Sequence, residues 1–368
     1  MKQTPSNGPR RELALVIPAL DPGRELPGLL ARLRPDWAGP VVVVDDGSGR
    51  QAQAVFAAPG QLGATVLHHG GNRGKGAALK TALRYCRTAW PGLAGCVTAD
   101  ADGQHSAADI LRVADALRSH PGSLVLGVRD FSAPGVPLRS RLGNRLACGA
   151  LRLACGLRLA DTQTGLRGIP MDLVPELTGL PGSRYEFETA MLLAAQSAGR
   201  TFVQVPIATV YADGNRGSHF RPLADGLRVW AQLAGPLRRF AGASLASAAV
   251  DLGLFAVLAR WLRPLGGWHL AAATLGARAV SACCNFALNR ALVFRLRQGA
   301  GRAAGRYALL CLCQAAASAL LTTLLAAALA LPETLCKILI DTALFFLGYA
   351  VQRRWVFAPA DPKGGHAP

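Results

Sequence analysis

Asp100 and Asp102 stand two residues apart in the stretch Thr98-Ala99-Asp100-Ala101-Asp102-Gly103-Gln104-His105, directly after an apolar run. Two carboxylates this close repel each other, and folding gains nothing from that repulsion. Either a hard divalent cation lies between them or the segment is a solvated turn. Mg2+ typically takes one or two protein carboxylates and completes its shell with water and phosphate oxygens, which suits a nucleoside diphosphate as ligand.

Other polar segments have the composition such a ligand needs. Asp45-Asp46-Gly47-Ser48 follows the β-branched run Val41 to Val44. A carboxylate there can accept hydrogen bonds from a base or a ribose hydroxyl. Asn72-Arg73-Gly74-Lys75-Gly76 opens a helical pattern. Its glycines allow close backbone approach, and a helix N-terminus favours anions. The Walker spacing is absent. Asp161-Thr162-Gln163-Thr164-Gly165-Leu166-Arg167-Gly168 reads as a polar turn between apolar segments. Tyr185-Glu186-Phe187-Glu188 starts another helix, where the acids also serve as plain N-terminal charges.

The elements that must position these groups alternate. Strands are expected over 12–20, 41–44, 64–68, 93–99 and 124–128, with helices over 75–89 and 108–118. Such alternation predicts an α/β fold with a mostly parallel sheet. Ligands bind beyond the carboxyl ends of such strands, where Asp45-Asp46 and Asp100-Asp102 both fall.

The texture changes near residue 238. Four long apolar stretches follow, near 241–262, 269–292, 307–331 and 335–352, each long enough for a hydrocarbon core that needs roughly 20 helical residues. Arg238 and Arg239 precede the first. Arg290, Arg295, Arg297, Arg302 and Arg306 lie between the second and third, and Arg353 and Arg354 follow the fourth. The positive-inside rule then places both termini in the cytosol. The start, Met1 to Leu13, is polar and basic with no apolar core after it, so no secretory signal is expected. The second and fourth stretches end alike, in Asn289-Arg290-Ala291-Leu292-Val293-Phe294 and Gln352-Arg353-Arg354-Trp355-Val356-Phe357, a parallel repeat of two helical hairpins.

The surplus of 40 Lys+Arg over 22 Asp+Glu, with 51% hydrophobic residues crowded toward the last third, favours a membrane protein facing anionic lipid. Nucleic acid is not the expected partner, because the basic residues are not interleaved with aromatics. The nine cysteines show no metal-like pair, and five (Cys283, Cys284, Cys311, Cys313, Cys336) lie in apolar stretches, where buried free thiols are expected.

The order Pro18-Ala19, Asp45-Asp46-Gly47-Ser48, Asn72-x-Gly74-Lys75-Gly76, Asp100-x-Asp102-Gly103-Gln104, Asp161-x-Gln163-x-Gly165-x-Arg167, Glu186-Phe187-Glu188 resembles family 2 glycosyltransferases. It is most similar to the dolichyl-phosphate mannose synthase, or polyprenyl-phosphate glycosyltransferase, branch. The resemblance covers roughly residues 10 to 235. The membrane part resembles GtrA-like four-helix proteins, thought to move polyprenyl-linked sugars, through its topology, Arg239-Phe240 and the two repeated exits. One departure stands out: the family often has Pro-Ala-Tyr-Asn-Glu at the first strand end, whereas this chain has Pro18-Ala19-Leu20-Asp21-Pro22.

The resemblance implies a Rossmann-like GT-A domain over 1–236; Leu223, Leu227, Trp230 and Leu233 stand at helical spacing in its last helix, about 221–236, which is expected to lie on the membrane surface, with core packing as the alternative. A GtrA-like domain of four transmembrane helices over 237–358 and a cytosolic tail over 359–368 complete the expected organisation in a cytoplasmic (inner) membrane. It further implies inverting transfer of a hexose from a nucleotide sugar, of the GDP-mannose or UDP-glucose type, to a polyprenyl phosphate (undecaprenyl or dolichyl). Mg2+ or Mn2+ would sit on Asp102, with Asp100 and Gln104 nearby. Pro18, Asp45, Asp46 and Lys75 would join these three in holding the donor. Arg129 and Arg139, with Asn144 and Arg216, would hold the acceptor phosphate, for which bidentate arginine is suited. Asp161, Gln163, Arg167, Glu186 and Glu188 would shape the site. Ser218 and His219 would join Arg216 in a loop over it.

Asp251, Arg278, Lys337 and Asp341 fall inside the apolar spans. Such charges usually face a bundle interior and mark function. Arg278 and Asp341 are 63 residues apart, the spacing of the two exits, which suggests an interhelical pair or a contact to lipid phosphate. The spans could move the product, anchor the enzyme or assemble a homo-oligomer. Two rival functions remain: a processive polysaccharide synthase, suggested by Gln352-Arg353-Arg354-Trp355, and a non-catalytic carrier of lipid-linked sugar.

Overall fold

The computed structural model describes residues 12–133, 136–208, 231–232, 234–294, 300–329 and 332–357. The chain divides into two compact units, Met1–Leu233 and Ala234–Pro368.

In the first unit the order is β1 (Leu13–Ala19), α1 (Glu25–Leu33), β2 (Val41–Asp45), α2 (Gln53–Gln61), β3 (Thr65–His68), α3 (Lys75–Ala89), β4 (Gly95–Thr98), α4 (Ala107–Ser119), β5 (Leu124–Arg129), α5 (Leu138–Cys155), β6 (Arg167–Pro170), α6 (Val174–Thr178), α7 (Glu186–Ser197) and β7 (Phe202–Ile207). The seven strands form one sheet in the order β3-β2-β1-β4-β6-β5-β7. It is the expected mostly parallel sheet, with β6 alone reversed, antiparallel to both β4 and β5.

β1 and β2 are continuous apolar runs because helices cover both faces of the sheet. Alternate residues enter opposite layers: Ala14 and Val16 pack with α3 and α7, while Leu13, Leu15 and Ile17 pack with α1 and α4. α1 buries Leu26, Leu29, Leu30 and Leu33, a one-sided helical spacing. The Ser106 hydroxyl caps α4 by accepting from Asp109 N at 3.1 Å. The parallel strands bring Ala19, Asp45, His68, Thr98 and Arg129 to one edge. Because β6 runs the other way, its first residue, Arg167, arrives at that same edge.

The second unit holds α8 (Gly235–Trp261), α9 (His269–Leu288), α10 (Ala300–Leu329) and α11 (Glu333–Val351). All four are long and apolar enough to cross a membrane. The first and third begin earlier than the apolar runs at 241 and 307, because helix continues through Arg238-Arg239 and Arg302 to Arg306. Few side chains are buried here, since most of the helix surface is left for lipid. All nine cysteines are free. Of the five thiols expected to be buried, only Cys336 is; Cys284 and Cys311 are half-buried, and Cys283 and Cys313 face outward from their helices.

Both repeated exits leave their helices as a π-turn, Asn289–Val293 and Gln352–Val356. They meet each other: Asn289 Nδ2 donates to Gln352 Oε1 at 3.2 Å, and Phe294 stacks on Phe357 at 4.8 Å.

Candidate active site

Asp45 ends β2 and is buried. Its carboxylate accepts from Ser48 N at 2.8 Å and Gln53 Nε2 at 3.3 Å, and lies 2.9 Å from His68 Nδ1. Burial alone would raise its pKa, and the hydrogen bonds from Ser48, His68 and Gln53 outweigh that and hold it low. Asp46 is also buried and accepts from Arg73 N at 3.0 Å and Gly74 N at 2.7 Å, with His69 Nδ1 at 2.7 Å. His69 Nε2 reaches Thr81 Oγ1 at 3.0 Å. The anion at the N-terminus of α3 is thus this side chain of the protein itself. Gly74 must be glycine here: its φ is +100°, and a Cβ would lie 2.5 Å from the Ser183 carbonyl oxygen.

Lys75, in the first turn of α3, bridges two acids. Its Nζ lies 2.7 Å from Asp100 Oδ1 and 3.1 Å from Glu188 Oε1. Burial opposes the charge on Lys75, and the two carboxylates overcome it and raise its pKa. Asp100 shows the mirror image: burial pushes it up, and Lys75 with His105 pulls it well below the usual carboxylate range. Asp102 receives a hydrogen bond from Gln104 N at 3.1 Å. Its pKa is raised, first by burial and then by the charge on Asp100. A group with that history favours a cation.

The donor set fits a hard divalent ion. Among the described residues, no three His, Cys, Asp or Glu side chains are placed to form a cage. Mg2+ needs no such cage, because one or two carboxylates suffice when phosphate and water supply the rest. Gly165 keeps the space open: a Cβ there would fall 2.2 Å from Asp100 Oδ2.

Around this pair the structure sorts the remaining expected residues. Arg129, closing β5, makes a two-pronged contact with Asp161, Nε to Oδ2 at 2.7 Å and Nη2 to Oδ1 at 3.2 Å. Asp161 also accepts from Gln163 N at 3.0 Å, while the Gln163 side chain is exposed. Asn144 is buried, and its Nδ2 donates to the Ala160 carbonyl at 2.6 Å, bracing the Asp161 turn rather than facing solvent. Glu186 accepts from Ser183 N and Arg184 N at 3.0 and 3.2 Å, the plain helix-start role, and its buried Oε2 has no partner among the described residues. Pro18 lies inside β1 in the sheet. Arg139 lies in the first turn of α5 with its side chain outside the described residues, as are Arg216, Ser218, His219 and residues 221–230.

Two readings need correction. Arg167 does not belong to a polar turn: it starts β6 and is fully buried, donating to the carbonyls of Thr164, Glu188 and Thr162. Burial lowers its pKa. Arg278 does not pair with Asp341. Arg278 Nη2 lies 3.4 Å from Asp251 on the neighbouring helix of its own hairpin. Asp341 meets Lys337 at 2.7 Å, one turn back on its own helix, and Ser318 at 2.6 Å. The 63-residue offset aligns turns of the repeat, but it does not turn two side chains toward each other.

Residue spacing gave no sign of His68, His69 or His105. His105 was in view beside the Asp-x-Asp pair, yet only the structure shows its Nε2 buried 3.5 Å from Asp100. Asp21, with φ +45°, donates its N–H to Ser48 Oγ at 2.9 Å and accepts from Gly49 N at 2.7 Å. It ties the departed first-strand motif to the Asp45 loop.

The glycosyl transferase family 2 model matches residues 37–175, and the GtrA/DPMS transmembrane domain model matches residues 239–357. An uncharacterised protein of Methanocaldococcus jannaschii is 29% identical over 206 residues, 55% of this chain and 83% of that protein. A UDP-N-acetylglucosamine–dolichyl-phosphate N-acetylglucosaminyltransferase of Methanococcus voltae is 26% identical over 219 residues, 54% of this chain and 86% of its own. The solved glucosyl-3-phosphoglycerate synthase of Mycobacterium tuberculosis with UDP is 22% identical, covers 61% of this chain and 79% of its own, and superposes with a TM-score of 0.47. By the two family models, residues 37–175 match a family 2 glycosyl transferase domain, and residues 239–357 of the same polypeptide match a GtrA/DPMS transmembrane domain.

Proposed function

We propose that this chain transfers a hexose, with inversion, from a nucleotide sugar to a polyprenyl phosphate at the cytosolic face of the membrane. The observation that carries the reading is the convergence of Asp45, Lys75, Asp100, Asp102 and Arg129 on one edge of a parallel sheet. The Methanococcus voltae relative, named for transfer to dolichyl phosphate, supports a lipid phosphate as acceptor. Its donor and the GDP-mannose or UDP-glucose type remain separate choices within the proposal.

Asp45, held ionised by its hydrogen bonds, binds the nucleoside. Asp46 acts one step back, fixing the Arg73-Gly74 backbone from which Lys75 projects. Asp102, with Asp100 and Gln104 beside it, would hold Mg2+ or Mn2+, which neutralises charge on the departing diphosphate. Lys75 supplies a second positive charge next to Asp100.

The acceptor differs from a sugar hydroxyl. A phosphate monoester with a second pKa near 6 is already largely ionised at neutral pH, so no general base is needed. What it needs is positive charge close to the donor. Arg129 provides this, oriented by Asp161, which Asn144 braces through Ala160. Arg139 and Arg216 complete the phosphate site in this reading.

Arginines crowd the Asn289–Val293 and Gln352–Val356 exits and the start of α10, supporting a cytosolic position for those ends and for the catalytic unit. The membrane unit then receives the lipid product and helps move it across. Incubating the full chain in membranes with undecaprenyl phosphate and a panel of labelled nucleotide sugars tests the proposal. One donor should label the lipid. No labelled lipid with any donor, while nucleotide still binds, would favour a non-catalytic carrier.

A further inference from the structure

The second unit contains a cavity of about 360 Å³. That lies within the roughly 300–1,000 Å³ of small-molecule sites. Three carboxamides line it, Asn285, Gln314 and Gln352, each from a different helix or exit. The hydroxyls of Ser244 and Ser318 add to them, and the rings of Phe240 and Phe345 flank them. Along α11 and the exit that follows it, the lining runs from Gln352 back to Lys337. At a rise of about 1.5 Å per residue, this is about 22 Å, most of a hydrocarbon core roughly 30 Å thick.

Polar groups at that depth are costly when unsatisfied. Some are satisfied internally. Gln314 Nε2 donates to the Leu344 carbonyl at 3.0 Å, and Asn289 donates to both Asn285 and Gln352. Asn289 Oδ1, fully buried beside this cluster, has no partner among the described residues. The charges in the wall cancel: Lys337 lies 2.7 Å from Asp341 and 2.6 Å from Ser318 Oγ. The cavity is therefore polar but electrically balanced. An anionic group would find no uncompensated cation there. A neutral group with several hydroxyls would find amide donors and acceptors at several angles and aromatic faces for its C–H surface.

We propose that this cavity binds the neutral, hydroxyl-rich glycosyl group of a lipid-linked sugar, excluding its phosphate. The phosphate stays outside, at the arginine-rich exits, where Arg290 Nε is buried with no partner among the described residues and Arg306 lies over Trp355. The inference rests on the reading that the chain makes a lipid-linked sugar, and it assigns that sugar a second resting place within the membrane unit.

The test uses the full chain in lipid nanodiscs. Octyl glucoside, octyl mannoside and octyl N-acetylglucosaminide are compared with octyl phosphate in saturation binding. At least one glycoside should bind, and octyl phosphate should not displace it. Gln314→Leu removes a carboxamide, and Ala315→Phe fills the cavity without removing a polar group. Each should weaken glycoside binding tenfold or more while single-turnover sugar transfer is retained, which also reports that the variants are folded. Binding of no glycoside, binding unchanged in both variants, or displacement by octyl phosphate would overturn the proposal. Glycoside binding that depends on Gln314, in a chain with no transferase activity, would instead refute the proposed function and leave the cavity site standing.

Discussion

The two units handle charge in opposite ways. In the catalytic unit, charged groups are buried and held by other protein groups: Lys75 between Asp100 and Glu188, Arg129 on Asp161, Arg167 among carbonyls. In the membrane unit the charges stay near the helix surface, with Arg278 72% and Lys337 52% exposed beside their acids. The cores differ to match. The catalytic unit buries two layers of Leu, Val and Ile, whereas the membrane unit closes on alanine, aromatic rings and carboxamide pairs. Where water is the solvent, aliphatic burial drives folding and leaves a surplus that can hold costly charges in place. Where lipid is the solvent, that drive is absent, and close packing with hydrogen bonds must serve.

The largest effect should come from Arg167, the largest fully buried side chain among the described residues and a charged one. Arg167→Met leaves the carbonyls of Thr162, Thr164 and Glu188 unpaired at the floor of the site. It should cost roughly 3–5 kcal/mol, seen as a fall in Tm of the full chain. An unchanged Tm would mean that the catalytic unit does not depend on its buried charges.

Next comes Lys75→Met, which strands Asp100 and Glu188 and should cost about 3 kcal/mol, the low end for a broken buried pair because the Lys75 side chain is still partly exposed, together with most of the transfer activity. The pH dependence sharpens this. Asp100 has a lowered pKa in the folded chain, so its ion pair contributes stability above an unfolded value near 3.9, lost as pH falls through the folded value. The raised pKa of Lys75 contributes below an unfolded value near 10.4, lost as pH rises through the folded one. The difference in Tm between wild type and Lys75→Met should therefore be widest between about pH 4 and 10 and narrow in acid. A constant difference would remove the ion pair from the explanation.

The edge of the site was legible in sequence because its signals are local. A run of four valines followed by Asp45-Asp46, and an apolar run followed by Asp100-x-Asp102, announce strand ends without help from the rest of the chain. β6 was not legible. Its four residues join the sheet only because β4 and β5 flank them, and Arg167 looks like a surface residue until that pairing hides it. The histidines beside Asp45 and Asp46 carry no spacing signal, since β3 reaches β2 from outside the motif. In the membrane unit the repeat showed the like endings of the two hairpins but not that Asn289 and Gln352 meet, and it misassigned the charges, because a shared turn does not fix which way a side chain points.

Smaller effects belong to the membrane unit. Asn289→Leu breaks the link between the two exits and should cost about 0.6–1.7 kcal/mol in detergent. Exchanging Asp251 and Arg278 in one double variant should cost less than about 1 kcal/mol and less than the sum of the two single changes. A loss as large as that of Lys75→Met would erase the contrast between the units.

The central claim, that Asp102 and its neighbour serve metal-dependent sugar transfer to a lipid phosphate, is tested most directly by labelled-sugar transfer to undecaprenyl phosphate. Wild type and Asp102→Ala would be compared in membranes across a titration of Mg2+ or Mn2+. Labelling that requires the cation and falls on the order of a hundredfold in the variant is the predicted result. Equal labelling by the variant, or labelling undiminished by EDTA, would contradict it.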